Sequence, residues 1–283
     1  MTQHPNAFSF EFFPPKGPKG ADRLGRVRRE LAALGPKFFS VTFGAGGSTQ
    51  AGTRETVAAT RRETGIATAP HLSCIGTTRA RIRDLLEDYA ALGVDRIVAL
   101  RGDVVPGQTE TGEFAYASEL VAFIREAFGD RFHVEVAAYP EFHPEAPSPE
   151  ADIRHFVTKV KAGADSAMTQ YFYNADAYFH FVDQLEKAGV DIPVVPGVMP
   201  LANFRQVARF SELCGADIPR WVRLKMDSLA DDPAAQTDFA EEVVSRLAQR
   251  LLEAGAPGLH FYTLNQARPV QAIWKNLALP MQD

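Results

Sequence analysis

Cysteine is nearly absent from this 283-residue chain, which has only Cys74 and Cys214. Neither belongs to a Cys-x-x-Cys pair or has histidines at ligand spacing, which argues against a disulfide framework or a thiolate zinc site and leaves both as small buried hydrophobes. Long apolar runs are missing too. Nothing approaches the ~18 continuous apolar residues of a spanning helix, and the opening Met-Thr-Gln-His-Pro-Asn has no basic segment leading into an apolar one. The expected setting is cytoplasmic, with no membrane partner. A basic excess is lacking as well: the net charge is -5 with both signs interspersed, which argues against a nucleic-acid surface. Any anionic ligand must therefore be held by local groups. No low-complexity tract or linker divides the chain, and the Pro-rich pieces at 14–18 and 140–149 are short, so one domain over 1–283 is expected.

What is present is alternation. Short apolar runs at 8–13, 38–43, 67–72, 97–100, 132–138, 166–171, 194–198 and 259–264 read as strands. Between them lie segments of helical period, such as Ile82, Leu85, Leu86, Tyr89 and Leu92, closed by Gly93. Gly93-Val94-Asp95, Gly163-Ala164-Asp165 and Gly189-Val190-Asp191 each end a helix and introduce a strand, whereas Gly215-Ala216-Asp217 leads into an irregular or helical stretch. Helical segments near 204–213 and 239–252 precede the last strand. The fold class is α/β, a single (β/α)8 TIM barrel with extra helices before the last strand. A doubly wound open sheet is the alternative, and it would draw ligand groups from only a few strand ends.

The polar exceptions collect where those strands finish: Glu11, Thr42, His71, Arg101-Gly102-Asp103, the loop Tyr139 to His143, Gln170, and Thr263 to Gln266. In a barrel these ends share one mouth, so residues distant in sequence would meet there. Each alone could be structural. Glu11, flanked by Phe10, Phe12 and Phe13, is expected in apolar surroundings that favour the neutral, proton-donating form. Asp103, following a fixed cation and an unhindered glycine, offers a carboxylate able to accept two parallel hydrogen bonds. Gly44-Ala45-Gly46-Gly47-Ser48-Thr49 is not a dinucleotide fingerprint: its third glycine is replaced by Thr49, and the acidic residue about 20 positions on, Glu63, falls within a helical segment. No Ser-His-Asp or Cys-His arrangement and no metal-ligand cluster stands out.

In order along the chain, Phe10-Glu-Phe-Phe-Pro-Pro-Lys16, Val41-Thr-Phe-Gly-Ala-Gly-Gly-Ser48, Leu100-Arg-Gly-Asp103, Ala138-Tyr-Pro-Glu141, Thr169-Gln170, Pro196-Gly197 and His260-Phe-Tyr-Thr-Leu-Asn265 resemble the motifs of the methylenetetrahydrofolate reductase family. The resemblance spans nearly the whole chain and covers the catalytic barrel without a regulatory domain. It implies reduction of 5,10-methylenetetrahydrofolate to 5-methyltetrahydrofolate, with FAD taking hydride from NAD(P)H and passing it on in a ping-pong sequence, in a homo-oligomer. Glu11 matches the family's general acid, and Asp103 a residue near flavin and pterin. Thr42, Phe43, Ala45, His71, Arg101, Gly102, Asp103, Tyr116, Ala117, Tyr139, His143, Asp152 and Lys159 match flavin-site positions, with Arg101 and Lys159 suited to pyrophosphate and Asp152 to a ribose hydroxyl. Gln170, Gln206 and Phe210 match folate contacts. Where the family commonly has arginine for the acidic end of folate this chain has Gln266, and Arg268 is the expected substitute. A flavin-free folate-binding barrel and a barrel lyase are the alternatives; a lyase working through an imine would want a lysine at a strand end, and no predicted strand end has one.

Overall fold

The strand β1, Ala7–Phe12, buries one face against helices and turns the other toward the barrel axis. Period-2 alternation divides it cleanly. Phe8, Phe10 and Phe12 point outward, where Phe10 meets Phe39 at 6.1 Å, Phe261 at 5.7 Å and Trp274 at 5.9 Å between ring centroids. Phe8 meets Trp274 edge-on at 4.8 Å, and Phe12 meets Phe39 at 5.0 Å. Phe10 and Phe12 are completely buried, and each such side chain contributes about 1.5–3 kcal/mol through burial. Ser9 and Glu11, on the other face, point inward.

The computed structural model describes residues 7–43, 50–103 and 112–281. After β1 come α1 (Gly17–Ala32), β2 (Phe38–Val41), α2 (Gln50–Thr64), β3 (Thr68–Ser73), α3 (Arg79–Ala91), β4 (Arg96–Leu100), α4 (Ala117–Phe128), β5 (His133–Ala138), α5 (Pro149–Lys161), β6 (Ser166–Thr169) and α6 (Ala175–Lys187). Then follow β7 (Val194–Val195), β8 (Gly197–Val198), α7 (Phe204–Cys214), α8 (Arg220–Ser228), α9 (Pro233–Glu253), β9 (Gly258–Tyr262) and α10 (Arg268–Asn276). Side chains cap several helices where the sequence places them: Thr78 for α3, Ser148 for α5 and Asn203 for α7. The strands form one parallel sheet in the order β7-β6-β5-β4-β3-β2-β1-β9-β8. This is an α/β barrel with additional helices α7 to α9 before its last strand, as the alternation implies.

One expected strand is divided. The run 194–198 breaks at Pro196, whose missing N–H cannot enter a ladder. Its first half, β7, pairs with β6, and its second half, β8, pairs with β9. This single stave therefore bridges both ends of the strand order and closes the barrel. Gly197 sits at the switch, its N–H donating to Thr169 Oγ1 at 2.9 Å. Other boundaries move slightly: β1 stops at Phe12, leaving Phe13 40% exposed, and β3 runs on to Ser73, so His71 lies within the strand.

The main apolar core lies between barrel and helices, whereas a smaller group of Phe38, Ala69, Val98 and Met168, with Ala67 and Leu100 against it, lines the interior. The lower interior is polar. Arg96 pairs with Glu135, His133 Nε2 meets Ser166 Oγ at 2.6 Å, and the Arg96 guanidinium lies 4.5 Å from the Phe38 ring centroid. Pairing is what makes a buried glutamate such as Glu135 tolerable there. Cys74 is fully buried, as expected, but Cys214 is only half-buried and its Sγ contacts Tyr171 Oη at 3.4 Å. Among the described residues no helix is long and apolar enough to cross a membrane.

Candidate active site

Glu11 projects from β1 into the upper barrel, and its surroundings differ from those its sequence neighbours suggest. The pleat turns Phe10 and Phe12 away, and the groups facing the carboxylate are histidines. His71 Nε2 from β3 lies 3.4 Å from Glu11 Oε2, and His260 Nε2 from β9 lies 3.6 Å from the same oxygen. Both ring nitrogens are buried without a hydrogen-bond partner, and such groups are costly unless something completes them. Burial lowers the His71 pKa, with Glu11 opposing and His260 adding to the effect, so this imidazole is held toward its neutral form. The backbone beneath the acid is equally fixed: Thr263 Oγ1 donates to the Glu11 carbonyl at 2.6 Å. Asn265 clasps Phe13 in both directions, accepting from its N–H at 3.1 Å and donating to its carbonyl at 2.9 Å. To do so the chain enters the left-handed region at Leu264 and Asn265, with φ of 49° and 55°.

Past β4, Gly102 has φ of 87°, and a Cβ there would stand 1.8 Å from Ser73 Oγ. Only glycine lets the Arg101–Asp103 turn pass this close to β3. Ser73 Oγ–H in turn donates to the Arg101 carbonyl at 2.9 Å. Arg101 reaches Glu145 at 2.6 Å, and its charge acts on His143 and Tyr139. His143 packs edge-on against Tyr139 at 4.6 Å, donates its backbone N–H to Asp152 Oδ2 at 3.1 Å and accepts the Glu145 N–H at Nδ1. Burial pushes the Tyr139 phenol up to about 12, with the carboxylates of Asp103 and Asp152 adding to it. Lys159, whose ammonium donates to the Ala137 carbonyl, is brought down to about 8 by burial against the opposing pull of Asp152.

Arg101, Asp103, Tyr139, His143, Asp152 and Lys159 thus form one connected group after β4 and β5, and Glu11 and His71 form another above β1 and β3. Asp103 is exposed at the mouth, within electrostatic reach of Tyr139. Thr42 follows β2, accepting at its carbonyl from Thr53 Oγ1 at 2.9 Å, and Phe43 beside it is half-buried. Tyr116 and Ala117 stand apart at the start of α4, the exposed Tyr116 ring stacking on His155 of α5 at 5.8 Å. Ala45 lies outside the described residues, as does the glycine loop 44–49.

On the far side, Gln170 follows β6, its Oε1 accepting the Tyr171 N–H at 3.0 Å. Tyr171 Oη lies 3.1 Å from Ser211 Oγ and so ties this strand end to α7, the helix that carries Gln206 and Phe210. Gln206 is exposed and Phe210 half-buried. Gln266 is exposed on the turn after β9. Arg268, the expected substitute for a tail-binding arginine, instead opens α10, where its charge acts on Glu241 of α9.

Two residues facing this site carried no assigned role from sequence: His260 and Tyr262. Tyr262 Oη donates to the Thr169 carbonyl at 2.7 Å, and its ring meets Tyr171 and His260 edge-on. The available signal was the pleat itself, since His260 and Tyr262 pair in register with Ser9 and Glu11 and must share their inward face.

A methylenetetrahydrofolate reductase family model matches residues 1–278. The 5,10-methylenetetrahydrofolate reductase of Escherichia coli strain K12 is 38% identical over 96% of this chain and 90% of its own length. Its counterpart from Salmonella typhimurium is 37% identical over the same shares. Among solved structures, a Clostridium thermocellum protein described as binding two copies of 5-methyl-5,6,7,8-tetrahydrofolic acid superposes with a TM-score of 0.68 over 97% of this chain and 94% of its own, at 14% identity, which speaks for the fold. The inward carboxylate at the barrel mouth thus belongs to an oxidoreductase, and the chain is a member of the methylenetetrahydrofolate reductase family.

Proposed function

We propose that this single barrel reduces 5,10-methylenetetrahydrofolate to 5-methyltetrahydrofolate with NAD(P)H, through FAD and in ping-pong order. The observation that carries the reading is the inward carboxylate of Glu11, fixed by Thr263 at its backbone and faced by two imidazoles at the mouth. Converting a bridging methylene to a methyl requires one hydride and one proton. Glu11 is the general acid that protonates the bridge nitrogen, leaving an iminium carbon to accept the hydride. The carboxylate of Asp103 stabilises the developing cation and holds the pterin's paired N–H groups. Gln170, with Gln206 and Phe210 on α7, borders the folate, and Gln266 lies nearest its acidic end in place of an arginine.

FAD suits the opposite rim. When bound, it supplies a two-electron carrier between nicotinamide and folate. Arg101 and Lys159 are cations within one group that also offers the Asp152 carboxylate for a ribose hydroxyl and the Tyr139 ring for packing. This donor set fits a dinucleotide, and Thr42, Phe43, Ala45, His71, Gly102, Tyr116, Ala117 and His143 complete the positions we assign to it. Purified protein is expected to carry a flavin spectrum, and double-reciprocal plots for nicotinamide and folate should be parallel, because one mouth has little room for both. Intersecting lines would sink the shared pocket, and a colourless protein that cannot be reconstituted would leave the flavin-free folate-binding barrel in its place.

The lowered pKa of Lys159 has a signed consequence. Below about 8 the ammonium is charged and can hold a phosphate; as the pH rises through that value in the free protein the charge is lost. Binding an anion therefore draws in a proton above pH 8, and FAD affinity should weaken there. Titration of the apoprotein with FAD at pH 7 and pH 9 should show a several-fold rise in Kd for the wild type and little change for Lys159→Arg, which stays charged. Equal pH sensitivity in both proteins would remove Lys159 from the site.

A further inference from the structure

If Glu11 gives up a proton in each turnover, that proton must be replaced, and with folate and flavin filling the mouth the upper approach is closed. The structure offers another approach from below. His260, in β9, is completely buried, yet both nitrogens of its ring face polar partners. Nδ1 lies 2.7 Å from Ser9 Oγ, and Nε2 lies 3.6 Å from Glu11 Oε2. Ser9 and His260 also line a cavity of about 100 Å³ at the amino-terminal end of the barrel, bordered by Lys37, Arg96, His133 and Glu135. Its walls are mostly apolar, but the polar groups of Ser9, Arg96, His133, Glu135 and Ser166 give a water there the partners it needs.

We propose that Ser9 and His260 form a proton path that reloads Glu11 from this lower cavity, a role that rests on Glu11 being the general acid. With Ser9 Oγ–H donating to Nδ1, the ring carries its proton on Nε2, the nitrogen that faces the acid. After Glu11 has protonated the bridge, the Nε2–H bond breaks as the new O–H bond forms on Glu11. Ser9 passes its hydroxyl proton to Nδ1, and cavity water restores the Ser9 hydroxyl. One proton enters from below and one leaves on the product, so the count closes, and rotation of the ring, which presents the newly protonated nitrogen to the acid, readies His260 for the next transfer. The titratable groups around the ring from packed elements are Glu11 on β1, His71 on β3 and Tyr262 on β9 itself. Phe38 of β2 stacks on the other side at 6.5 Å and offers no competing proton. The orphaned Nε2 atoms of His260 and His71, converging on a single oxygen, are what a relay needs: groups that can donate to Glu11 but are not committed elsewhere. His71 has no comparable link downward through Ser9, which singles out His260 as the supplier.

The test separates the first turnover from those that follow. On the general-acid reading, the first turnover of reduced, flavin-loaded enzyme draws on a proton already held at Glu11. In His260→Gln, therefore, the first folate reduction should proceed near the wild-type rate, and steady-state turnover should then fall about 10-fold or more, seen as a burst of one product per site. The slow phase should show a larger solvent deuterium isotope effect than wild type, and reduction of the flavin by nicotinamide should be unchanged. Ser9→Ala, a smaller change that tests the same path should His260→Gln fold poorly, should give the same burst with a milder steady-state loss. Equal slowing of the first and later turnovers would mean that His260 only shapes the pocket, and unchanged turnover in both variants would mean that Glu11 reloads from the mouth; either result overturns the path. Glu11→Gln in parallel keeps the two ideas distinct: if it spares folate reduction, the general-acid assignment fails, whereas if it blocks folate reduction and His260→Gln shows no burst, only the path fails.

Discussion

Glu11→Gln is expected to abolish most folate reduction while leaving the flavin bound and fully reducible by nicotinamide. Glutamine preserves the shape of the side chain and its place between His71 and His260 but has no acidic proton to give. Only the folate half-reaction requires proton donation at the bridge, and general acid catalysis is worth roughly 10²- to 10⁴-fold. The backbone contacts that set β1, the Thr263 donation to the Glu11 carbonyl and the Asn265 clasp on Phe13, do not involve the side chain, so the fold should persist. Rapid mixing with nicotinamide, then with folate, separates the halves. Equal slowing of the two would show that Glu11 is structural.

Gly197→Ala should produce a large loss of stability. A Cβ at this position would stand 2.2 Å from the Thr169 carbonyl oxygen and 2.6 Å from Tyr262 Cε2. Neither neighbour can retreat cheaply, because the Thr169 carbonyl already accepts the Tyr262 hydroxyl and Thr169 Oγ1 accepts the Gly197 N–H. The residue also stands where the stave passes from β6 to β9, with only two residues paired on each side. Overpacking of this kind costs about 3 kcal/mol, or a melting temperature lower by roughly 5–10 °C for a chain of this size. Gly189→Ala is the comparison: its φ of 75° carries a backbone strain that Gly197 lacks, but nothing lies within 4 Å of the added carbon, so the loss should be about 1 kcal/mol. Equal melting temperatures for the two variants would show that the seam tolerates the extra carbon.

The barrel was legible because each stave is a short apolar run and each helix before β4, β6 and β7 ends in a glycine. The division at Pro196 was legible in principle, since a residue without an N–H inside a strand must leave a gap. The helix Arg220–Ser228 reads poorly because Trp221 and Leu224 are exposed and blur its apolar stripe. The inward placement of Glu11 was legible from its place on the strand, but its neighbours were not: adjacent phenylalanines in a strand face away, and the groups that face it come from β3 and from β9. Ser9 and His260 are separated by 251 residues, and no local pattern announces such a pair. Arg268 shows the opposite: close to the mouth in sequence, it opens α10, where its charge acts on Glu241.

The outward phenylalanines of β1 carry an implication for how damage to this protein would be perceived. Because side chains alternate strictly, moving Glu11 off the axis by one position would bring Phe10 or Phe12 into the mouth, and what resists that slip is the aromatic layer on the other side of the strand. Trp274 of α10, packed on Phe8 and Phe10, belongs to that layer although it lies behind the barrel wall. On the proposed reading, a lesion at Trp274 would therefore present as a chemical defect: flavin binding and much of the fold would persist while Glu11 pointed in the wrong direction. Screens that sort variants by distance from the reacting atoms would file such a change as remote, yet its first symptom would be lost proton transfer.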